Sequence, residues 1–480
     1  MNGNCSTTGC KSPERLPDAA ALEQQWKSID WKKAEAEVNR LQARIAKATQ
    51  EKKWNTVKRL QYLLTHSYYA KVLAVRKVTT NKGKKTPGVD GELWSTPAAK
   101  MRGVLTLTDK GYKAKPLRRV FIEKKGKKAK RPLGIPCMYD RAMQALYALA
   151  LDPVSETTAD TKSFGFRKGR CAQDACEYIF TALSRSFSPQ WVLEGDIKGC
   201  FDHISHDWLI EHIPMDKSVL KQFLKAGFIF EQELFPTDEG APQGGVISPI
   251  LANMALDGMQ KVLSDRFDLS AKGEVSAFVH NKSKVNLVRY ADDFIVTAAT
   301  KEIAEEAKAI IRDFLQTRGL ELSEEKTVIT HIDDGFDMLG WTFRKFKGKL
   351  IVKPSKKALK ALKSALSETI LGRGKAWKQE VLIEKLNQQI RGWTNYHQSV
   401  CASDAFAHID YILYELLWRW AKRRHPHKGQ WWVSTNYWHR RGNRNWVFCT
   451  EGKELLRVDH IPIVCLLYTS PSPRDKRQSR

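Results

Sequence analysis

Apolar residues in the first part of the chain recur at helical spacing. Over residues 18–78 they stand three and four positions apart, and lysine or arginine fills many of the positions between them. This pattern predicts an N-terminal helical extension over residues 1–80. The segment NKGKKTPGVDG follows and, being dense in glycine, proline and aspartate, predicts a loop.

After residue 120 short apolar runs alternate with amphipathic stretches. FIEK and RPLGIP flank a basic turn and have strand composition, whereas residues 138–152 have the periodicity of a helix. Further strand candidates are WVLEGDI and VNLVRYADDFIV. Residues 301–318 carry apolar side chains on one face and end at Gly319, which is typical of a helix with a glycine C-cap. The mixture predicts an α+β unit over residues 81–350.

Beyond Pro354 the chain turns to basic amphipathic helices, KPSKKALKALKSALSETI and WKQEVLIEKLNQQIRGWTNYHQ, which predict a helical unit over residues 351–425. Residues 426–464 combine tryptophan with many basic residues and indicate a small β-rich or irregular unit. Residues 465–480 lack periodicity, and CLLYTSPSPRD resembles a translated sequencing adapter. We expect a non-native tail there, the alternative being a genuine polar C-terminus.

The amino-acid composition indicates which class of partner the protein binds. The 480 residues include 80 Lys and Arg against 53 Asp and Glu, a formal net charge of +27, while 42% hydrophobic residues suffice for a buried core. The positive charge therefore belongs to the surface of folded domains, where it attracts nucleic acids; a basic protein without a specific partner is the alternative. The nine cysteines contain no Cys-x-x-Cys pair, and no apolar stretch is long enough to span a bilayer. We expect a cytoplasmic protein without a membrane partner.

Two acidic sites stand at the ends of apolar runs. The sequence Tyr290-Ala-Asp292-Asp293 predicts a β-hairpin whose turn presents both carboxylates, although this tetrapeptide alone would also suit a surface turn. Asp196 ends the apolar run of WVLEGD. Two separate strands that both end in aspartate fit a site for divalent cations.

Carboxylate oxygens are the ligands that Mg²⁺ prefers, and two ions about 3.5–4 Å apart stabilise both the attacking and the leaving oxygen of an in-line displacement. Asp196 and Asp292 are the predicted bridging ligands, and Asp293 is the third carboxylate. The predicted metal site also includes Ile197, the neighbour of Asp196. We expect two Mg²⁺ ions, with Mn²⁺ as a possible substitute.

The motifs that follow one another along the chain resemble those of bacterial group II intron reverse transcriptase/maturases. They are KRPLGIP, SFGFRKGR, a D-x-x-x-x-F-D motif, APQGGVISPILAN, YADD and EKT, preceded by the loop KTPGVDG and followed by RGWTNY, which resembles the maturase thumb, domain X. The resemblance covers roughly residues 77–424. It implies a right-hand polymerase with α+β fingers and palm and an α-helical thumb.

The same resemblance implies RNA-directed DNA synthesis on an RNA template with a DNA primer and dNTPs. It also implies binding of a group II intron RNA to assist splicing, and intron mobility by target-primed reverse transcription into target DNA. The runner-up is a reverse transcriptase of retron or diversity-generating type without maturase activity, against which RGWTNYHQ argues. Residues 426–464 resemble a DNA-binding region. The chain lacks the Cys and His cluster of an HNH endonuclease, so we expect no such activity from it.

Five residues are predicted to bind the nucleotide. Lys124 and Arg131 bracket a basic turn suited to a triphosphate. Phe201 resembles an aromatic gate against a 2′-hydroxyl, with core packing as the alternative. Gln243 lies in a Pro-Gln-Gly-Gly turn where backbone can approach a base pair closely. Lys326 either protonates pyrophosphate or pairs with Glu324.

A further set of basic residues is predicted to contact nucleic acid. The thumb aromatics, Trp393, Tyr396, Trp418 and Trp420, have helical spacing and are expected mostly in the core. The basic residues near them are better candidates for RNA contact. The predicted contact residues are Arg167, Lys168, Arg170, Arg391, Lys422, Arg423 and Arg424. The sequence predicts no oligomeric state.

Overall fold

The computed structural model describes residues 17–123 and 130–464. Its helices are α1 Ala19–Lys27, α2 Trp31–Gln50, α3 Trp54–His66, α4 Tyr68–Thr80, α5 Pro97–Thr106, α6 Met138–Thr157, α7 Ala172–Leu183, α8 Cys200–His203, α9 His206–His212, α10 Lys217–Leu224, α11 Ser248–Leu256, α12 Met259–Phe267, α13 Ala277–Ser283, α14 Lys301–Gln316, α15 Lys356–Ser367, α16 Gln379–His397, α17 Ser403–Arg424 and α18 Gln430–Tyr437. Its strands are β1 Leu117–Glu123, β2 Lys130–Ile135, β3 Trp191–Asp196, β4 Phe228–Phe230, β5 Glu233–Phe235, β6 Asn286–Tyr290, β7 Asp293–Ala298, β8 Val328–His331, β9 Phe336–Met338, β10 Trp341–Phe346, β11 Lys349–Pro354, β12 Trp438–Arg441 and β13 Arg444–Phe448.

The chain forms two compact units. The first comprises Met1–Arg167, Ile197–Val262 and Ile311–Leu322. The second comprises Lys168–Asp196, Leu263–Ile310 and Ser323–Arg480. Among the described residues, no helix is both long and apolar enough to cross a membrane.

The N-terminal part of the first unit is helical, as its periodicity predicted. Asp18 and Asp30 begin α1 and α2 by accepting hydrogen bonds from the backbone N–H groups of Ala21 and Lys33, which satisfies donors that a helix start leaves open. Helices α2, α3 and α4 pack on α6. Helix α6 extends five residues beyond its predicted end at Asp152 and continues through Pro153.

The first unit also contains a four-stranded sheet in the order β2-β1-β4-β5. Strand β1 runs antiparallel to β2 and parallel to β4, and β4 and β5 form a hairpin. This arrangement confirms strand structure for residues 121–123 of FIEK and residues 131–135 of RPLGIP.

The second unit is built on the sheet β6-β7-β3-β8, in which every neighbouring pair is antiparallel. Helix α7 packs against β6. A separate three-stranded sheet has the order β11-β10-β9. Helix α14 begins in the second unit and ends, in the segment assigned to the first, at Gln316, two residues before its predicted end; Gly319 has the positive φ, +72°, expected of a C-terminal glycine.

The C-terminal part of the second unit is mainly helical. Apolar side chains of α16 and α17, including Leu386, Ile390 and Leu417, form its core. The prediction of a β-rich or irregular segment after residue 425 was partly wrong, because α18 precedes the hairpin of β12 and β13. The predicted tail, residues 465–480, lies outside the described residues.

Candidate active site

The carboxylates of the second unit are brought together by strand register. Strands β6 and β7 form the predicted hairpin with a two-residue turn, Ala291-Asp292, between the paired residues Tyr290 and Asp293. Strand β3 pairs with β7 so that Asp196 lies directly opposite Asp293. Opposed residues on neighbouring strands stand on the same face of a sheet. The fold therefore gathers Asp196 and Asp293 on one face, with Asp292 in the adjoining turn.

Gly195 and Phe294 explain why the strands meet in this register. They pair across β3 and β7, next to the aspartates, and their side-chain positions belong to the opposite face. A Cβ atom on Gly195 would lie 2.1 Å from Cζ of Phe294, a side chain that is only 2% exposed. The ring thus occupies the space that a side chain at position 195 would need.

The site has a strongly anionic character. Asp293 is an exposed residue, yet crowding by protein atoms and repulsion from Asp292 and Asp196 raise its pKa to about 6. Nζ of Lys326 donates a hydrogen bond to Oδ2 of Asp196 at 2.5 Å. That contact raises the pKa of Lys326. The structure pairs Lys326 with Asp196 and not with Glu324, so the alternative of a Glu324 pair was wrong.

The donor set fits a hard divalent cation. Carboxylate oxygens are its preferred ligands, and a carboxyl with a raised pKa beside two others is one whose ionised form a cation would stabilise. Ile197, the other predicted member, is a buried residue directly after Asp196. Among the described residues, no three His, Cys, Asp or Glu side chains already stand in a metal-binding arrangement. Metal binding by these residues therefore stays a prediction.

A separate pocket of about 450 Å³ lies in the first unit. Phe201 and Gln243, both predicted nucleotide ligands, line it together with Asp202 and Arg119. Nε2 of Gln243 donates to both carboxylate oxygens of Asp202, at 2.9 and 3.0 Å. Phe201 is half-buried and meets Phe166 edge to face, with the ring centroids 6.1 Å apart. A partly exposed ring on a pocket wall favours the gate over the core-packing alternative.

The Pro-Gln-Gly-Gly turn approaches strand β2 closely. The N–H of Gly134 donates to the carbonyl of Gln243 at 2.7 Å. Gly244 has a φ of +107°, and a Cβ there would lie 2.6 Å from the carbonyl oxygen of Gly134. Only glycine suits this conformation and this approach, so the turn fixes where Gln243 stands.

Arg119 is a pocket residue that the sequence reasoning missed. Its guanidinium carbon lies 3.7 Å from the centroid of the Phe228 ring, and burial lowers its pKa. The pair Arg118-Arg119 in β1 was the available signal. Side chains alternate along a strand, but only the sheet shows which of the two arginines lines the pocket.

Arg131 and Lys124 are the other two predicted ligands of the triphosphate. Arg131 belongs to β2, and only its backbone is described. Lys124 lies outside the described residues. Their predicted contact with a triphosphate stays a prediction.

Arg167 was wrongly predicted as a nucleic-acid contact. Its side chain is 1% exposed and donates to both carboxylate oxygens of Asp257, at 2.7 and 2.9 Å, and to Glu156 at 3.0 Å. A guanidinium enclosed by two carboxylates holds the first unit together and offers no surface to a phosphate. Its neighbours in the SFGFRKGR motif differ, since Lys168 is exposed and Arg170 is half-buried.

The basic residues predicted on the thumb lie at the surface. Arg391 is exposed on α16, and Lys422 and Arg423 are exposed at the end of α17. Arg424 has a partly structural role, because Nη1 donates to the carbonyls of Lys375 and Trp377 at 3.1 and 3.0 Å. RNA contact by these four residues stays a prediction.

Of the four aromatics expected mostly in the core, Trp420 is buried, whereas Trp393, Tyr396 and Trp418 are partly exposed. Trp420 is 2% exposed and its indole N–H donates to the carbonyl of Gly374 at 2.9 Å. Tyr396 stacks on Trp341 with centroids 4.7 Å apart and donates its hydroxyl to the Leu339 carbonyl.

Three family models match the chain. The model described as reverse transcriptase (RNA-dependent DNA polymerase) matches residues 122–343. The N-terminal domain of reverse transcriptase matches residues 26–107. The group II intron maturase-specific domain matches residues 359–438.

Three similar proteins span different shares of the chain. Group II intron-encoded protein LtrA of Lactococcus lactis subsp. cremoris is 32% identical over 359 residues, 63% of this chain and 59% of LtrA. Protein YkfC of Escherichia coli (strain K12) is 32% identical over 319 residues, 59% of this chain and 82% of YkfC. Maturase-like protein 1 of Euglena gracilis is 24% identical over 379 residues, 77% of this chain and 76% of that protein.

The matched segments include the carboxylate hairpin, the pocket residues Phe201, Asp202 and Gln243, and most of the C-terminal helices, whereas Arg119 lies outside them. The chain belongs to the reverse transcriptase family, and within it to the group II intron reverse transcriptase/maturases. It spans 59% of the length of LtrA.

Proposed function

We propose that this protein is an RNA-directed DNA polymerase. The observation that carries the proposal is the register of β3 and β7, which sets Asp196 opposite Asp293 within the segment that matches reverse transcriptases. In the proposed reaction the primer 3′-hydroxyl loses its proton to solvent, and its oxygen bonds to the α-phosphorus of a dNTP. The bond from that phosphorus to the bridging oxygen breaks, and pyrophosphate leaves with the electron pair. The template is RNA, and the overall arrangement is fingers, palm and helical thumb.

Asp196, Asp292 and Asp293 would hold the two Mg²⁺ ions, or Mn²⁺ in their place, with Ile197 as a further predicted member of the site. When bound, these ions would lower the charge on the attacking oxygen and on the leaving pyrophosphate. The ammonium group of Lys326, whose pKa is raised by Asp196, stays protonated at neutral pH. It is our proposed proton donor to pyrophosphate.

The pocket of the first unit is the proposed nucleotide site. Phe201 would exclude the 2′-hydroxyl of a ribonucleotide, Gln243 would pack beside the templated base pair, and Arg119 would join Lys124 and Arg131 at the triphosphate.

Changing Phe201 to Val should raise rNTP incorporation relative to dNTP incorporation by about tenfold, since the discriminating contact is steric. An unchanged ratio of rNTP to dNTP incorporation in single-nucleotide extension would mean that Phe201 serves only packing.

We further propose that the protein binds a group II intron RNA and assists its splicing, and that it supports intron mobility at a target DNA. Residues 351–425 would act as thumb and domain X, and residues 426–464 as the DNA-binding region. The match of residues 359–438 to the maturase-specific domain favours this over a retron or diversity-generating enzyme. A cytoplasmic location stays a sequence-based prediction.

The deciding experiment separates the two activities. Changing both Asp292 and Asp293 to Ala should abolish cDNA synthesis while intron RNA binding and splicing assistance persist, because only the polymerase reaction uses the carboxylates. The matched control changes Asp333 and Asp334 to Ala, an exposed Asp-Asp pair after β8 in the same unit, and should keep both activities. Retained cDNA synthesis in the first variant would contradict the polymerase proposal.

A further inference from the structure

Two rows of side chains cross the second unit's sheet next to each other. One row consists of Tyr290, Asp293 and Asp196, and the neighbouring row consists of Arg289, Phe294 and Gly195. Because side chains alternate along a strand, the second row belongs to the face opposite the carboxylates. It contains an arginine that is 0% exposed.

The turn that carries Asp292 has a conformation that its sequence does not favour. Ala291 has a φ of +59° and is 7% exposed. A residue with a Cβ atom in the left-handed region is strained, and such strain persists only where surrounding contacts hold it. The sequence Tyr-Ala-Asp-Asp has no glycine or asparagine at position 291, and either of those residues would adopt this turn conformation with less strain.

Arg289 supplies a contact that holds this turn. Its Nη1 donates a hydrogen bond to the carbonyl oxygen of Ala291 at 3.3 Å. A fully buried guanidinium is costly to desolvate, and a Met or Leu could fill the same space at lower cost. The donor, rather than the volume of the side chain, is the property that only Arg289 brings to this position.

We propose that Arg289 is a positioning residue that holds Ala291 in its left-handed conformation and thereby fixes Asp292 beside the paired carboxylates of Asp196 and Asp293. The inference rests on the proposed function, since it assumes that these carboxylates bind divalent cations. Arg289 acts through the turn and touches no reacting atom. Its removal should therefore weaken metal binding and turnover together, without altering nucleotide affinity.

The first test changes Arg289 to Met. We expect Mn²⁺ affinity, measured by electron paramagnetic resonance on the protein without nucleic acid, to weaken by about tenfold, because a small misplacement of one ligand is amplified at a preorganised site. In primer extension kcat should fall by a similar factor while the KM for dNTP stays within about twofold. Arg289→Lys, which keeps one charged donor, should give an intermediate result and replaces the Met variant if that variant does not fold.

The second test asks whether the effect passes through the turn. Glycine adopts positive φ without strain, so Arg289→Met combined with Ala291→Gly should recover most of the lost Mn²⁺ affinity. The control is Arg318→Met. Arg318 donates to the backbone carbonyls of Ala255 and Phe314 at 2.7 and 2.8 Å in the other unit. That control should lower the melting temperature but leave Mn²⁺ affinity unchanged.

Two results would overturn the inference. Unchanged Mn²⁺ affinity in folded Arg289→Met would show that the arginine does not position Asp292. A loss that Ala291→Gly fails to restore would show that Arg289 serves general packing. The proposed function is judged separately: it fails if the unaltered protein extends no primer, whereas the Mn²⁺ titrations still decide the role of Arg289.

Discussion

At the scale of single residues, the raised pKa of Asp293 links the charge of the site to its proposed binding of a cation. Its pKa rises from the ordinary 3.8 to about 6 through crowding by protein atoms and repulsion from Asp292 and Asp196. In the cation-free protein the folded state therefore binds more protons than the unfolded state between about pH 4 and pH 6. The contribution of this group to the free energy of unfolding falls as the pH rises through that range.

The raised pKa predicts how cation binding depends on pH. A cation competes with the proton on Asp293, so the Mn²⁺ affinity should fall by about tenfold per pH unit below pH 6 and level off above it. Asp293→Asn should bind Mn²⁺ more weakly at pH 7.5 and show a flatter profile. Titrations between pH 5 and pH 8 measure both. A wild-type profile that is flat across pH 6 would refute this assignment.

Arg167 shows how burial decides what a basic residue does. Its change to Met would leave the carboxylates of Asp257 and Glu156 without their common counter-charge, and breaking a buried ion pair in this way costs about 3–5 kcal/mol. Urea unfolding should show that loss, while the salt dependence of RNA binding by the protein that stays folded should not change. A reduced slope of log RNA affinity against log salt concentration, with unchanged stability, would show that Arg167 contacts a phosphate after all.

At the scale of elements, the packing of β3 on β7 sets the site. Gly195→Ala would force its Cβ against the buried ring of Phe294, and overpacking of this kind costs about 1–3 kcal/mol. Primer extension should fall as well, because the same register sets Asp196 opposite Asp293. Adding Phe294→Leu should recover part of the stability in urea unfolding.

The control for this prediction is Gly392→Ala in α16. Apart from its chain neighbours and its own helix backbone, no described atom lies within 4 Å of the place that its Cβ would take, so the change should be neutral or stabilise the helix by up to about 1 kcal/mol. Equal destabilisation by the two glycine substitutions would mean that the Phe294 contact is not the cause.

At the scale of the whole molecule, the net charge of +27 predicts salt-sensitive binding of nucleic acid. Each phosphate contact contributes about 0.7–0.9 to the slope of log affinity against log salt. Changing Arg391, Lys422 and Arg423 together to Ala should therefore reduce the slope for intron RNA by about 2–3. Filter binding between low and moderate salt measures it.

The charge-matched control changes three exposed lysines that carry no proposed contact, Lys261, Lys272 and Lys301. It lowers the net charge equally, so it should shift the affinity slightly and leave the slope nearly constant. Equal slopes for the two triple variants would mean that Arg391, Lys422 and Arg423 contribute only to the overall electrostatic field of the protein.

The features that depend on local pattern were predictable from the amino-acid sequence. Helical periodicity predicted α1 to α4, and the apolar runs on both sides of YADD predicted the hairpin of β6 and β7. Aspartates at the ends of two apolar runs pointed to the site, and the ordered motifs pointed to the family. These features lie within short windows, where side-chain spacing and backbone propensity already determine the outcome.

Which residues contact one another across distant segments is seen in the tertiary structure alone. The register of β3 and β7 pairs Asp196 with Asp293, Lys326 turns to Asp196, and Arg167 is enclosed by carboxylates distant from it in sequence. Periodicity cannot distinguish an arginine that faces water from one that faces a buried acid, because both occupy the same kind of position in the sequence. That choice depends on packing between segments far apart in the chain, and it also decides that Ala291 adopts a turn its own side chain disfavours.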